Sequence, residues 1–291
     1  MSVAVVIPTH GAAPYLAEAI ASVRGGADEI IVVEDGTSAA NDSDLGGARL
    51  IRLPRVGRSA ARNAGVEAAG ASLIAFLDAD DLALDDRLER QQAALEATPH
   101  AALCFGRVRV VDVSLEPLDE WNVLLARRFE HLVQGGATYE AILASRCPIY
   151  TSATMVRRAA FLEAGGYDTR FDAYEDLDLY LRLSQSGGLI PCPGGPVTWY
   201  RIHGQNTDSD LLYANMLAIV DKHLPLAAGG SRRLLLERRV DALWGLGRFG
   251  AARRSAARAI AREPLLLGDR RLLQRTAASF LPGPLLRTRR R

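Results

Sequence analysis

Lysine is nearly missing from this chain. Lys222 is the only one, and every other basic side chain apart from histidine is arginine. The bias runs the length of the sequence, so it reads as a compositional trait rather than a choice made at one site. Cysteine is also scarce. Cys104, Cys147 and Cys192 are odd in number, far apart and free of Cys-x-x-Cys spacing, which excludes a disulfide scaffold and a cysteine zinc site and points to a reducing, cytoplasmic setting. The five histidines form no metal-binding pair at helical spacing. No apolar stretch approaches the roughly 18 residues that span a bilayer. The opening run Met1-Ser2-Val3-Ala4-Val5-Val6-Ile7-Pro8 is short, lacks a basic leader and is closed by proline, so it is expected to be a buried first strand rather than a signal peptide. Gly-x-Gly-x-x-Gly does not follow that strand, which argues against a Rossmann dehydrogenase.

At 291 residues and 48% hydrophobic content, the chain is long enough for one large α/β domain with an appendage. Its net charge of +1 conceals an uneven distribution. Residues 231–291 hold 16 arginines against 4 acids, leaving the first 230 residues at about −11. An acidic body therefore carries a basic tail ending Arg287-Thr288-Arg289-Arg290-Arg291. A solvated, internally paired helical face and an anionic membrane surface both suit such a tail. Nucleic acid is not an expected partner.

Strand-like and helix-like periods alternate through the first third: Val3 to Ile7, Tyr15 to Val23, Glu29 to Val33, Leu50 to Leu53, Ala60 to Ala69 and Leu73 to Leu77. Alternation of this kind implies parallel strands with crossover helices. Continuous rather than alternating apolar strands imply a sheet covered on both faces. A helix from about Asp85 to Ala97 leads to an apolar run from Ala101 to Val113 and a less regular middle. Strand Ala153 to Val156, helices Arg158 to Ala164 and Leu177 to Ser186, and strand Val197 to Ile202 follow. The pattern predicts a body over residues 1–208, with halves meeting near 113 and 114, and a basic helical extension over 209–291. Within the extension, Arg239 to Pro264 has the look of one tetratricopeptide-type hairpin without a second copy.

The richest segment is Leu73-Ile74-Ala75-Phe76-Leu77-Asp78-Ala79-Asp80-Asp81, an apolar strand running into three carboxylates where a parallel sheet opens into its ligand crevice. Crowded carboxylates need a cation, and hard oxygen ligands suit Mg²⁺ or Mn²⁺. The plainer alternative is that Asp80 or Asp81 caps the following helix. Three further islands fall at element ends: Ile7-Pro8-Thr9-His10, Val33-Glu34-Asp35-Gly36-Thr37, and the helix-opening Gly57-Arg58-Ser59-Ala60-Ala61-Arg62-Asn63-Ala64-Gly65. A paired acid, Glu175-Asp176, opens the helix that continues to Arg182-Leu183.

In that order the islands resemble the family 2 glycosyltransferases with the GT-A fold, over about residues 3 to 205. The resemblance implies an α/β, GT-A type doubly wound, mostly parallel sheet flanked by helices, with the helical extension added C-terminally. It places Pro8, Thr9, Asp35, Gly36, Arg62, Asp78 and Ala79 around the nucleotide. Asp80, with His203 of Tyr200-Arg201-Ile202-His203-Gly204, would hold Mn²⁺ or Mg²⁺ against the diphosphate. Asp176 would be the general base, with Glu175 the lesser candidate. The implied partners are a nucleotide-sugar donor, most naturally a UDP-sugar, and a glycan or lipid-linked acceptor, handled by an inverting enzyme in the cytoplasm or peripheral on the inner membrane face. Surface polysaccharide assembly is the process the resemblance suggests. Glu34-Asp35, Arg55 and Thr9-His10 depart from the family's usual residues and blur donor identity more than reaction class. A sugar nucleotidyltransferase would need a glycine-rich, lysine-bearing loop after the first strand, which Pro8-Thr9-His10-Gly11-Ala12 is not. A non-catalytic scaffold would have had no need to keep Asp35, Asp78, Asp80 and Asp176 together.

Overall fold

The computed structural model describes residues 1–36, 45–203 and 208–262. Thr37, Gly204 and the basic run 287–291 lie outside them. The chain divides into two compact units, Met1–Gly204 and Gln205–Arg291.

The first unit opens with β1 (Val3–Thr9), α1 (Leu16–Val23), β2 (Glu29–Asp35), β3 (Arg49–Leu53), α2 (Arg58–Ala68) and β4 (Leu73–Phe76). Next come β5 (Leu82–Ala83), α3 (Arg87–Ala97), β6 (Leu103–Phe105), β7 (Val108–Val111), α4 (Asp119–Gln134) and α5 (Tyr139–Ala144). The unit finishes with β8 (Thr154–Arg157), α6 (Arg158–Glu163), α7 (Glu175–Ser186), β9 (Leu189–Pro191) and β10 (Thr198–Arg201). Seven strands form one sheet in the order β3-β2-β1-β4-β8-β6-β9, and β5-β10-β7 form a second, smaller one. β1 to β4 are mutually parallel, whereas β8 runs antiparallel to both β4 and β6. The sheet is thus mostly parallel, with helices on both faces.

Side-chain alternation explains the layering. On one face, Val3, Val5 and Ile7 of β1 meet Leu16, Ile20 and Val23 of α1 and Leu88 and Leu95 of α3. On the other, Val6 and Val33 receive α2 at Gly65, where an added Cβ would come within 2.4 Å of Val6. Phe76, Phe161 and Tyr167 fill the same face with ring centroids 5.5 to 5.7 Å apart. Each aliphatic side chain fully buried contributes roughly 1.5–3 kcal/mol, so this two-sided burial is why the strands read as unbroken apolar runs.

Two expectations need correcting. The irregular middle contains α4, a 16-residue helix opened by Asp119 and Glu120. Its apolar face touches the core only at Leu125, Phe129 and Leu132, while Trp121, Val123 and Leu124 remain exposed, which hides the helical period among outward apolar residues. Neither Asp80 nor Asp81 caps the next helix, since α3 begins after Asp86.

The second unit contains α8 (Ser209–His223), α9 (Gly229–Gly245) and α10 (Phe249–Arg262). Leu236, Val240 and Leu243 of α9 meet Ala252, Ala256 and Ala259 of α10, and the Trp244 and Phe249 rings close the turn at 4.9 Å. The hairpin read from residue 239 onward therefore starts ten residues earlier in the same helix, at Gly229. No described helix is long and apolar enough to cross a membrane.

Candidate active site

The sheet positions the site. Strand order turns about β1 and β4, and ligands of open α/β sheets bind at the carboxyl ends of strands beside such a reversal. Register places Pro8 and Thr9 at the end of β1, Asp35 at the end of β2 and Asp78 just past β4, along one edge. Thr9 is buried, and its hydroxyl has no hydrogen-bond partner among the described residues. Buried hydroxyls are normally partnered, so this one suits an incoming polar ligand.

Asp35 is 6% exposed and uses both oxygens on the segment that leads into α2. Oδ1 accepts from the Val56 N–H at 2.5 Å and Oδ2 from the Gly57 N–H at 2.9 Å. Gly36 follows with φ of +94°, a turn conformation that favours glycine. The His10 ring packs at this turn, its Nδ1 2.5 Å from the Asp35 carbonyl oxygen. Asp35 therefore fixes the segment that enters α2 and stands apart from the acids that follow.

Arg62, sought in the sequence as a pocket residue on a helix, is 3% exposed. Its Nη1 donates to Glu175 Oε1 at 2.8 Å and its Nη2 to Asp78 Oδ1 at 2.6 Å. Burial works to strip the guanidinium of its proton, but Asp78, Tyr167 and Glu175 outweigh it and hold the charge firmly. The Tyr167 ring lies 5.5 Å from the same group. One cation thus joins α2, the end of β4 and the start of α7.

Asp176 adjoins this network at the opening of α7, half-buried, with Oδ1 accepting its neighbour Leu177's N–H at 2.7 Å. Burial first, and then Glu175, push its carboxyl up to about 7. Tyr174 before it adopts left-handed backbone, φ +58°, and swings the chain into the helix. Glu175, the lesser base candidate, is committed to Arg62 and only 5% exposed. Asp178 turns inward instead and pairs with Arg182 at 2.7 Å.

Asp80 and His203 meet at 2.5 Å between Oδ2 and Nε2, with side chains 37% and 41% exposed. Ala79 sits half-buried between the two aspartates. Sequence reading missed several neighbours. Ser152 accepts the Asp78 N–H at 3.0 Å. Tyr150 and Tyr200 pack with centroids 4.7 Å apart, and the Tyr200 hydroxyl is pushed up by burial and by Asp81, Asp78 and Asp80. Only proximity to His203 in sequence pointed toward Tyr200, and nothing pointed toward Ser152. A separate groove, lined by Val108, Arg109, Leu125, Phe129, Pro148 and Pro196 among others, contains none of Asp78, Asp80 or Asp176.

Residues 4–164 match the family model described as Glycosyl transferase family 2. The chain is 30% identical over 195 residues to the pre-mycofactocin glycosyltransferase of Mycobacterium tuberculosis (strains CDC 1551 and H37Rv), a match covering 65% of this chain and 40% of the relative. It thus spans about two fifths of the length of those curated relatives. Among solved structures it is similar to residues 1–349 of TarS from S. aureus, with a TM-score of 0.63. For the complex of that protein with UDP-GlcNAc the TM-score is 0.64. Both likenesses cover 96% of this chain and 90% of the other at 14% identity, which makes them likenesses of fold.

Proposed function

We propose, from the premise that this chain belongs to glycosyl transferase family 2, that it moves a sugar from a nucleotide diphosphate donor to an acceptor hydroxyl with inversion. The observation that carries the reading is the convergence of Asp78, Arg62, Glu175 and Asp176 at the carboxyl ends of the strands. In this arrangement a donor lies along the edge from Asp35 to Asp78, and Asp176 faces the incoming alcohol. Glu175 is held by Arg62, so of the adjacent pair Asp176 is the carboxylate left to take a proton. A positioned base of this kind contributes roughly 10²- to 10⁴-fold, and one base with one attack inverts the anomeric centre. The donor is a UDP-sugar in this reading, as the structural neighbour's UDP-GlcNAc complex suggests.

The pair Asp80 and His203 fits a divalent ion in its chemistry: a carboxylate oxygen and an imidazole nitrogen, close together and open to solvent. No group of three such ligands occurs among the described residues. That suits Mg²⁺ or Mn²⁺, which commonly rest on one or two protein ligands and complete their shell with phosphates and water. When bound, the ion would stabilise charge developing on the departing diphosphate. Asp78 and Arg62 fix the turn that presents Asp80.

The acceptor is a hydroxyl of a glycan or a lipid-linked acceptor, and the arginine-rich extension is read as a contact for an anionic membrane surface. Transfer is tested by a hydrolysis and transfer screen over nucleotide sugars with Mn²⁺. Turnover of a UDP-sugar that survives in Asp176→Asn at the wild-type rate would defeat the assignment. For the extension, liposome co-sedimentation unchanged by removal of residues 231–291 would defeat the membrane contact.

A further inference from the structure

Asp81 is the third carboxylate after β4 and has no part in the reading above. It is 1% exposed, beside two other acids, in a position where a carboxylate is costly. It caps no helix, because α3 begins at Arg87. A neutral residue of similar size would pack there at lower cost unless the oxygens were needed.

One of them is used on β10, while Oδ2 is buried without a hydrogen-bond partner among the described residues. Asp81 Oδ1 accepts the Arg201 N–H at 2.9 Å across 120 residues of chain. The setting explains why a side chain is required. β5 and β10 pair antiparallel through Ala83 with Thr198 and Leu82 with Trp199, and the ladder stops there because the chain turns toward Asp78. The Asp81 N–H closes that turn on the Asp78 carbonyl at 3.1 Å. The Asp81 carboxylate then satisfies the next β10 donor in place of a backbone carbonyl. The Ser152 hydroxyl accepts the Asp78 N–H at 3.0 Å on the same turn. One residue to one side of Asp81 stands Asp80; two residues beyond Arg201 stands His203.

We infer that Asp81 is a positioning residue whose bond to the Arg201 N–H fixes the turn after β4 against β10, and so keeps Asp80 beside His203, the pair that would take up a divalent ion. The inference rests on the metal reading of that pair. Groups that orient metal ligands typically alter affinity 10- to 100-fold when removed.

The test measures Mn²⁺ binding to the full chain by calorimetry, with UDP present, for the wild type, Asp80→Ala, Asp81→Asn and Asp81→Leu. UDP binding without metal and thermal unfolding are measured alongside. Leucine branches at the same carbon as aspartate and removes the acceptor, and the thermal unfolding measured alongside reads the cost of its larger volume. Asparagine keeps an oxygen for the Arg201 N–H. Asp81→Leu is expected to weaken Mn²⁺ by about tenfold or more, with metal-free UDP binding unchanged. Asp81→Asn should stay within about threefold of wild type, since its neutral acceptor preserves the bond. Wild-type Mn²⁺ affinity in Asp81→Leu, with loss in Asp80→Ala, overturns the positioning role and leaves the metal reading standing. Wild-type affinity in Asp80→Ala overturns both. An equal loss of metal-free UDP binding in Asp81→Leu marks general disruption and also overturns it. Should Asp81→Leu not fold, Asp81→Asn decides: retained affinity supports the inference, and a fall to the Asp80→Ala level overturns it.

Discussion

Arg62 and Glu175, 113 positions apart, meet at 2.8 Å with both side chains buried. Removing one member of a buried pair strands the other's charge, at about 3–5 kcal/mol. Asp78 still faces Arg62, so Glu175→Ala is expected at the lower end, about 3 kcal/mol, by urea denaturation. Glu175→Gln, which keeps an acceptor, should lose less. Turnover separates the adjacent acids: Asp176→Asn should fall by about 10²- to 10⁴-fold, with Glu175→Gln affected far less.

Asp176 sets a pH dependence. Only the ionised carboxylate accepts a proton, and burial followed by Glu175 moves its ionisation to about 7. Transfer at subsaturating donor should climb about tenfold per pH unit below that point and level off above it. Stability moves the opposite way. The folded chain retains a proton that the unfolded chain releases above its ordinary value of 3.8, so rising pH costs stability across this interval, and the cost is complete above about 7. Asp176→Asn should therefore melt higher than wild type at pH 8, with the gap closing toward pH 4. A constant gap across that range would contradict the assignment.

Asp80 and His203 lead to a chelation prediction. EDTA should abolish donor hydrolysis, and Mn²⁺ should restore it in the wild type but not in Asp80→Ala. Thermal shift by Mn²⁺ with UDP is the accompanying measurement, since a ligand bound at 100 times its Kd stabilises by about 2.7 kcal/mol. Asp176→Asn should keep that shift, because the pair proposed to hold the ion is Asp80 and His203.

Much of this was legible because burial leaves a linear trace. Val3 to Ile7 and Ile30 to Val33 are covered on both faces and read as continuous apolar strands, and acids at their ends marked the crevice. Arg62, Asp78, Asp80, Glu175, Asp176 and His203 were all candidates by motif, and the fold gathers them into two adjoining groups. Other features left no such trace. The antiparallel insertion of β8 depends on which neighbour an apolar strand pairs with, and no local period encodes that choice. The three-stranded sheet of β5, β7 and β10 is built from strands of two to four residues, too short to show alternation. Ser152 and Asp81 act through single bonds across more than 70 residues, and spacing carries no record of such bonds.

Gly65 supplies a prediction about packing. A methyl group there would press on Val6 and Val33, two stiff β-branched residues in the centre of the sheet. Overpacking of this kind costs about 1–3 kcal/mol, partly offset by up to about 1 kcal/mol from alanine's helix preference. Gly65→Ala should lower the urea midpoint. Because α2 carries Arg62, the displacement should also weaken donor binding.

The guanidinium shared by α2, the β4 turn and α7 bears on how the cleft breathes. Prising α7 from α2 would leave an uncompensated ion in a dry interior, so small openings are penalised almost as heavily as large ones. Backbone amides of the two helices near Arg62 and Glu175 should consequently exchange with deuterium through one common, rare event, and a donor should find its berth already shaped rather than wait for the walls to part.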